Sequence, residues 1–259
     1  MKITWFGAAS IMIESGDDRI MIDPVKGHSH SENDPSWEDL MSSGNILLTS
    51  GRIERSATIP LIVNTSGATV YSSSEAASLL EKEKTCPDLI AIVKPGLRLS
   101  FESISVDVLK GYSSCTGYDD MIRSRLHSAR AMRYPADAIY LSTHLGRYVN
   151  AKSILCYTVS SGGRIVLIPG SSNLDPDTDY PKYPDMLILP YQYSENADND
   201  IIAAIDRIEP RAVMLDMFDD FYPPITKRTD TRGLYRIISD KYPDLRVIKP
   251  TCGKTVTLL

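Results

Sequence analysis

The chain has 259 residues, 42% hydrophobic and 24% charged, with 28 basic against 33 acidic side chains and a formal charge of −5. This is globular composition rather than disorder, and the acidic balance argues against a protein that coats nucleic acid or lies on an anionic membrane. No apolar run approaches the roughly 18 residues a membrane span needs.

The opening MKITWFGAAS enters a strand pattern directly, without the charged-then-apolar layout of a signal peptide. The expected compartment is therefore the cytoplasm. Ile3–Phe6, Ser10–Glu14 and Arg19–Ile22 read as short strands, with Gly16-Asp17-Asp18 as the turn between the last two. Residues 26–38 are polar and contain Pro35, which predicts a loop. Asn45–Thr49 is an apolar strand, and Leu61–Val63 and Thr69–Tyr71 read as further strands. Ser74 is placed as the N-cap of a helix running to about Lys84.

In the middle, Ile104, Val106 and Val108 recur with period two, which predicts a strand over Ser103–Leu109. Ile122, Leu126 and Ala129 fall at helical spacing after Asp119 and Asp120, and Ala138–Leu141 is a short apolar run. Ser153–Val159 and Arg164–Ile168 flank Ser160-Ser161-Gly162-Gly163 as a hairpin. Met186–Leu189 and Ala212–Leu215 read as buried strands, Ala197–Ile208 and Thr231–Lys241 as helices, and Arg246–Ile248 and Thr255–Leu258 as closing strands. No linker divides the chain, so one layered α/β domain over 1–259 is expected, with helices outside two sheets.

Cys86, Cys115, Cys156 and Cys252 form no close pair, which excludes zinc ribbons and redox Cys-x-x-Cys motifs and reads as free thiols, mostly buried. Only four histidines exist: His28, His30, His127 and His144.

The segment MKITWFGAASIMIESGDDRIMIDP resembles the opening of metallo-β-lactamase-superfamily proteins of the ascorbate-6-phosphate-lactonase-like branch. Asn45–Thr49 looks like the strand entering that family's His-x-His-x-Asp-His metal motif, and Val106–Tyr112 like the strand that ends at a further His. Arg164–Gly170 looks like the strand reaching a metal-bridging Asp, and Ile205–Phe221 like the helix and strand that deliver the last His before Asp-Asp-Phe. The resemblance covers nearly the whole chain and implies an αββα sandwich with its cleft along one edge of the two sheets.

It also implies a metal-activated hydroxide and a polarised carbonyl or phosphoryl oxygen. At the matched positions, however, this chain carries Ser50, Arg52, Glu54 and Arg55 in the first motif. Ser113 or Ser114 stands for the middle His, Ser171 for the bridging Asp, Met217 for the last His, and Ala8 for a His in the first turn. Arginine is permanently protonated and has no lone pair to donate, so no metal and no cofactor is expected at this place.

Elsewhere, His28 and His30 lie in a polar loop that reads as solvated rather than metal-binding. His144 reads as a structural histidine and His127 as a surface one. Gly170-Ser171-Ser172-Asn173 lacks the Gly-x-Ser-x-Gly elbow and a partnered His. Cys115 lacks an assignable base. Asp216, Asp219 and Asp220 read as loop caps.

Two functions of different class follow. The first is a non-catalytic relative that keeps the fold and binds a small anionic metabolite in the old cleft through Ser50, Arg52, Glu54, Arg55, Ser113, Ser171 and Met217. A variant of it has Glu54 neutralising an arginine in a salt-bridged plug. The second is a hydrolase of lactones, phosphoesters or thioesters using unconventional metal ligands or none. A structural subunit role with homo-oligomerisation stays open, and neither nucleic acid nor membrane is expected as a partner. Residues 119–152 carry Arg123, Arg125, Arg130, Arg133, Arg147 and Lys152 against Asp119, Asp120 and Asp137, a local +3 placed as a lid over the cleft.

Overall fold

The computed structural model describes residues 1–27, 30–112, 118–148, 153–191, 196–223 and 225–258, with the side chains of 118–121 and 144–148 outside that description. The first half holds β1 (Lys2–Trp5), β2 (Ile11–Ser15), β3 (Asp18–Ile22), α1 (Trp37–Leu40), β4 (Asn45–Leu47), α2 (Ile53–Ser56), α3 (Ile59–Ser66), β5 (Thr69–Ser72), α4 (Ser74–Lys82) and β6 (Ile90–Ile92). The second half holds β7 (Arg98–Ser100), β8 (Ser105–Lys110), α5 (Tyr118–Leu126), α6 (Pro135–Tyr148), β9 (Leu155–Ser161), β10 (Arg164–Pro169) and β11 (Met186–Pro190). It closes with α7 (Ala197–Ile208), β12 (Ala212–Asp216), α8 (Arg232–Lys241), β13 (Arg246–Ile248) and β14 (Thr255–Thr257).

The strands make two seven-stranded sheets, ordered β14-β1-β2-β3-β4-β5-β6 and β13-β12-β11-β10-β9-β8-β7. Each is antiparallel at one end and parallel at the other: β3 to β6 are parallel in the first sheet, β10 to β13 in the second. Parallel neighbours need crossovers, and α1 to α4, α7 and α8 supply helices in these.

Strand parity sorts the side chains. Ile3, Trp5, Ile11, Ile13, Ile20 and Ile22 face Val166, Ile168, Met186, Ile188, Ala212 and Met214 in one central core. The alternate residues Met12, Met21, Ile46 and Val70 pack outward with Ile59, Ile62, Ala76 and Leu80 of α3 and α4. On the other side Leu167, Leu187, Leu189, Val213 and Leu215 pack under α7 and α8. The architecture is the αββα sandwich expected from the sequence.

Some expectations are corrected. Leu61–Val63 is not a strand but the middle of α3, which starts on Ile59-Pro60 and ends on Gly67 in the left-handed region. A three-residue apolar run cannot distinguish strand from helix, whereas Pro at the helix start and Gly at its end do. Ser73, not Ser74, caps α4, its side chain accepting from the Ala76 amide. Ala138–Leu141 lies inside the 14-residue α6. The edge strands β6 and β7 carry no fully buried side chain.

At one end of the sandwich the sheets are joined directly. Leu155 N donates to Thr49 O at 2.8 Å, Ser50 bridges Ile154, and the Tyr157 hydroxyl donates to Leu48 O at 2.9 Å. Gly170 makes this approach feasible: a Cβ there would sit 2.8 Å from Leu155 O and 2.9 Å from Thr49 Cβ. Gly170→Ala is therefore expected to destabilise by about 1–3 kcal/mol. Gly233→Ala, in the first turn of α8 with nothing within 4 Å, is expected to be neutral or slightly stabilising. Urea unfolding of both variants checks the contrast, and equal effects would mean the sheets are not in close contact at Gly170.

Candidate functional site

The C-terminal ends of β3, β4, β10 and β12 open onto one place, as strand ends do where open α/β sheets bind ligands. β3 runs into Asp23, fully buried and with φ of 43°. β4 leads to Thr49 and Ser50, β10 to Gly170 and Ser171, and β12 to Asp216 and Met217. Asp216 shares the parity of Ala212 and Met214, so it lies on the face turned toward the other sheet.

Arg55 sits at the centre. It is in α2, a short helix whose residues Ile53 to Ser56 are all buried. Its Nη1 donates to Asp23 Oδ2 and, at 2.9 Å, to Thr49 Oγ1. Its Nη2 donates to the Gly170 carbonyl and to Met217 Sδ, both at 3.1 Å. Asp23 is held from the other side by the Thr49 amide at 2.7 Å and the Thr49 hydroxyl at 2.5 Å.

Burial raises the Asp23 pKa, and Arg55 and Thr49 pull it back. For Arg55, burial works against the charge, but Asp23, Asp216 and Glu54 outweigh it and hold the guanidinium protonated. We read the pair as ionised, because the guanidinium cannot give up its proton and the carboxylate accepts from three donors.

The remaining positions are less central. Ser50 is buried and its Oγ accepts from the Arg52 amide at 3.4 Å. Arg52 is half-buried at the start of α2. Glu54 is buried and attracts Arg55 electrostatically, while the direct carboxylate contact is made by Asp23. Ser171 is half-buried, its hydroxyl accepting from the Asn173 amide at 3.3 Å. Ser113, Ser114 and Cys115 lie outside the described residues, as does His28. His30 packs against Tyr134, ring centroids 5.1 Å apart. His127 is exposed, with Nδ1 2.7 Å from Arg123 O.

The basic segment covers this end. Ile122 of α5 and Leu141 of α6 are buried in one apolar cluster with Ala8, Ile53, Met217 and Phe221. Arg125 donates to Ile225 O at 2.5 Å and Arg130 pairs with Asp220. Two of its arginines are thus tied to the loop after β12.

Sequence reasoning passed over Asp23 and Thr49 and took Asp216 and Asp219 as caps. Asp219 does cap, accepting from Ala8 N at 3.1 Å and Asn33 Nδ2 at 2.8 Å. Asp216 makes no such contact through Oδ1, which is buried and has no hydrogen-bond partner among the described residues.

Three comparisons bear on this arrangement. No known protein-family model matches the sequence. A solved metallo hydrolase from the archaeon Ignicoccus hospitalis superposes with a TM-score of 0.69 at 15% identity, covering 100% of this chain and 98% of that one. A metallo-β-lactamase fold protein from Bacillus subtilis superposes with a TM-score of 0.64 at 11% identity, covering 98% of each. The chain has the metallo-β-lactamase fold. By sequence, it is similar to a UPF0173 metal-dependent hydrolase from Rhizobium etli, 34% identical over 82 residues, which is 31% of this chain and 35% of that relative. The chain thus matches only about a third of the length of its curated relatives.

A metal is implied by those relatives' names, and the residues here do not fit one. Among the described residues no group of three or more His, Cys, Asp or Glu could hold an ion. The acceptors around the guanidinium are one carboxylate, a hydroxyl, a carbonyl and a thioether. A divalent cation about 5 Å from a guanidinium feels a repulsion of about 7 kcal/mol at an effective dielectric of about 20. Among the described residues, no helix is long and apolar enough to cross a membrane.

Burial pushes the Asp216 carboxyl up to about 7, with Arg55 opposing and Asp23 and Asp219 adding to the rise. An unfolded Asp titrates near about 3.9. Between these values the folded state holds the extra proton. The group's stabilising contribution is full below about pH 4 and is lost as pH rises through about 7. Asp216→Asn is expected to remove a fall in stability of up to about 1.4 kcal/mol per pH unit across this window. Urea unfolding from pH 4.5 to 8 measures it, and an unchanged slope in the variant would show that Asp216 is ionised throughout.

Proposed function

We propose that this chain is a non-catalytic member of the metallo-β-lactamase fold, in which a buried Asp23–Arg55 ion pair replaces the metal-bearing site of its hydrolase relatives. The observation that carries this reading is the position of the Arg55 guanidinium. It lies between the strand ends where the resemblance puts metal ligands, bonded to Met217 and to the carbonyl beside Ser171. A guanidinium has no lone pair for a metal and no base function near neutral pH. The apolar cover of Ile122, Leu141 and Phe221 further separates the pair from water.

Binding of a small anionic metabolite is the less favoured form of the same reading. Arg55 is engaged by Asp23, and Arg125 and Arg130 by the loop after β12. In that form Arg52, half-buried at the start of α2, would add its charge beside Ser50 and Ser171 at the same strand ends.

The competing reading is a hydrolase of lactones, phosphoesters or thioesters. It draws on the relatives' names and on Asp216, whose carboxyl near 7 suits a general acid or base.

Metal content after growth with added zinc, iron and manganese, together with a screen of the three substrate classes, separates the readings. The expected result is well under one metal per chain and no turnover. One metal per chain with turnover lost in Asp216→Asn would establish the hydrolase. In a parallel phosphate titration, an anion site raises stability by roughly RT ln(1 + [L]/Kd), and Arg52→Ala abolishes the rise. The plug predicts the same melting temperature with and without phosphate.

A further inference from the structure

We propose that Arg55 is a resident structural cation, a tethered guanidinium that staples the two sheets together, and that removing it opens a pocket selective for free guanidinium. The inference rests on the ion-pair reading above and deepens it by naming the ligand chemistry of that site.

The geometry divides cleanly between the two sheets. Nη1 serves the first sheet, through Asp23 after β3 and Thr49 after β4. Nη2 serves the second, through the Gly170 carbonyl after β10 and Met217 after β12. A planar fork with separate donors can reach both sides at once, whereas an ammonium is a point charge on a flexible stem.

Buried acids surround the guanidinium. Asp23, Glu54 and Asp216 all attract Arg55 electrostatically, and among the described residues Asp216 Oδ1 is buried without a hydrogen-bond partner. Removing the guanidinium takes away the cation bonded to Asp23 and leaves a space of its shape, framed by a carboxylate, a hydroxyl and a carbonyl. The same set offers no histidine and no thiolate to a transition metal.

The test uses the whole chain with Arg55→Ala and Arg55→Lys. Arg55→Ala is expected to melt roughly 10 °C below the wild type, the loss of one partner of a buried pair. Millimolar guanidinium chloride, too dilute to denature, is expected to recover several degrees in Arg55→Ala and none in the wild type. Sodium chloride at equal ionic strength and zinc chloride are expected to recover nothing. Arg55→Lys is expected to melt well below the wild type despite its charge.

A wild-type melting temperature in either variant overturns the staple, as does a guanidinium response no larger than that to sodium. Rescue of Arg55→Ala by zinc rather than guanidinium would make the pocket a metal site. If Arg55→Ala does not fold, the cycle of Asp23→Asn, Arg55→Met and their combination decides. The double variant is expected to melt higher than the two single losses would sum to, and strict additivity overturns the pairing. Metal binding or turnover by the wild type defeats the non-catalytic reading separately, whatever these melts show.

Discussion

A buried carboxylate without a partner costs several kcal/mol even after the protein relaxes, and Asp23 is fully buried at the junction of the two sheets. Much of the nearby structure follows from meeting that cost. The Thr49 amide and hydroxyl reach Asp23 only because β3 and β4 end side by side in parallel register, Ile22 opposite Leu47. Arg55 reaches it because the chain turns straight from Ser50 into α2. Gly170 lets the second sheet come close enough for its carbonyl to take the far side of the guanidinium.

The cover over this end completes the electrostatics. A charged pair is stronger where water is kept away, and Ile53, Ile122, Leu141 and Met217 form an apolar layer beside it. The arginines of the same segment act at the rim, where Arg125 and Arg130 hold the loop containing Asp220 and Ile225. The local positive charge that suggested an anion-binding lid thus works partly to fasten that lid to the rest of the protein.

The layered fold was legible because the central strands are compact apolar runs buried on both faces, as in β11 and β12. Ala212, Met214 and Asp216 face in while Val213 and Leu215 face out, and α7 was read with both of its boundaries. Some short elements were legible, such as β13 over Arg246–Ile248, and others were not. Leu61–Val63 looked like a strand because three apolar residues carry no period, and the edge strands β6 and β7 bury too little to show one. At the site, Arg55 and Met217 were identifiable by their places in a resembled motif. Asp23 was not, because its role arises from three strand ends meeting in space and leaves no spacing signal along the chain. Asp216 was read as a cap from its neighbours Asp219 and Asp220, although its parity with Met214 already turned it inward.

The backbone around the pair carries a further constraint. Ala8, Asp23 and Met217 all have positive φ, at 49°, 43° and 54°, a region that L-residues with ordinary side chains enter at a cost of about 1–3 kcal/mol each. The three belong to one corner: Met217 N donates to Ala8 O at 3.0 Å, and Arg55 touches both Asp23 and Met217. Strain of this kind persists only where the surroundings over-determine it, and it gathers at functional sites. A glycine at each turn would remove that cost. At this corner the constraint is visible instead in the contacts: the backbone bond from Met217 to Ala8 ties two of the turns together, and the Arg55 fork ties Met217 to Asp23, so each strained residue is held by a bond that a relaxed turn would break.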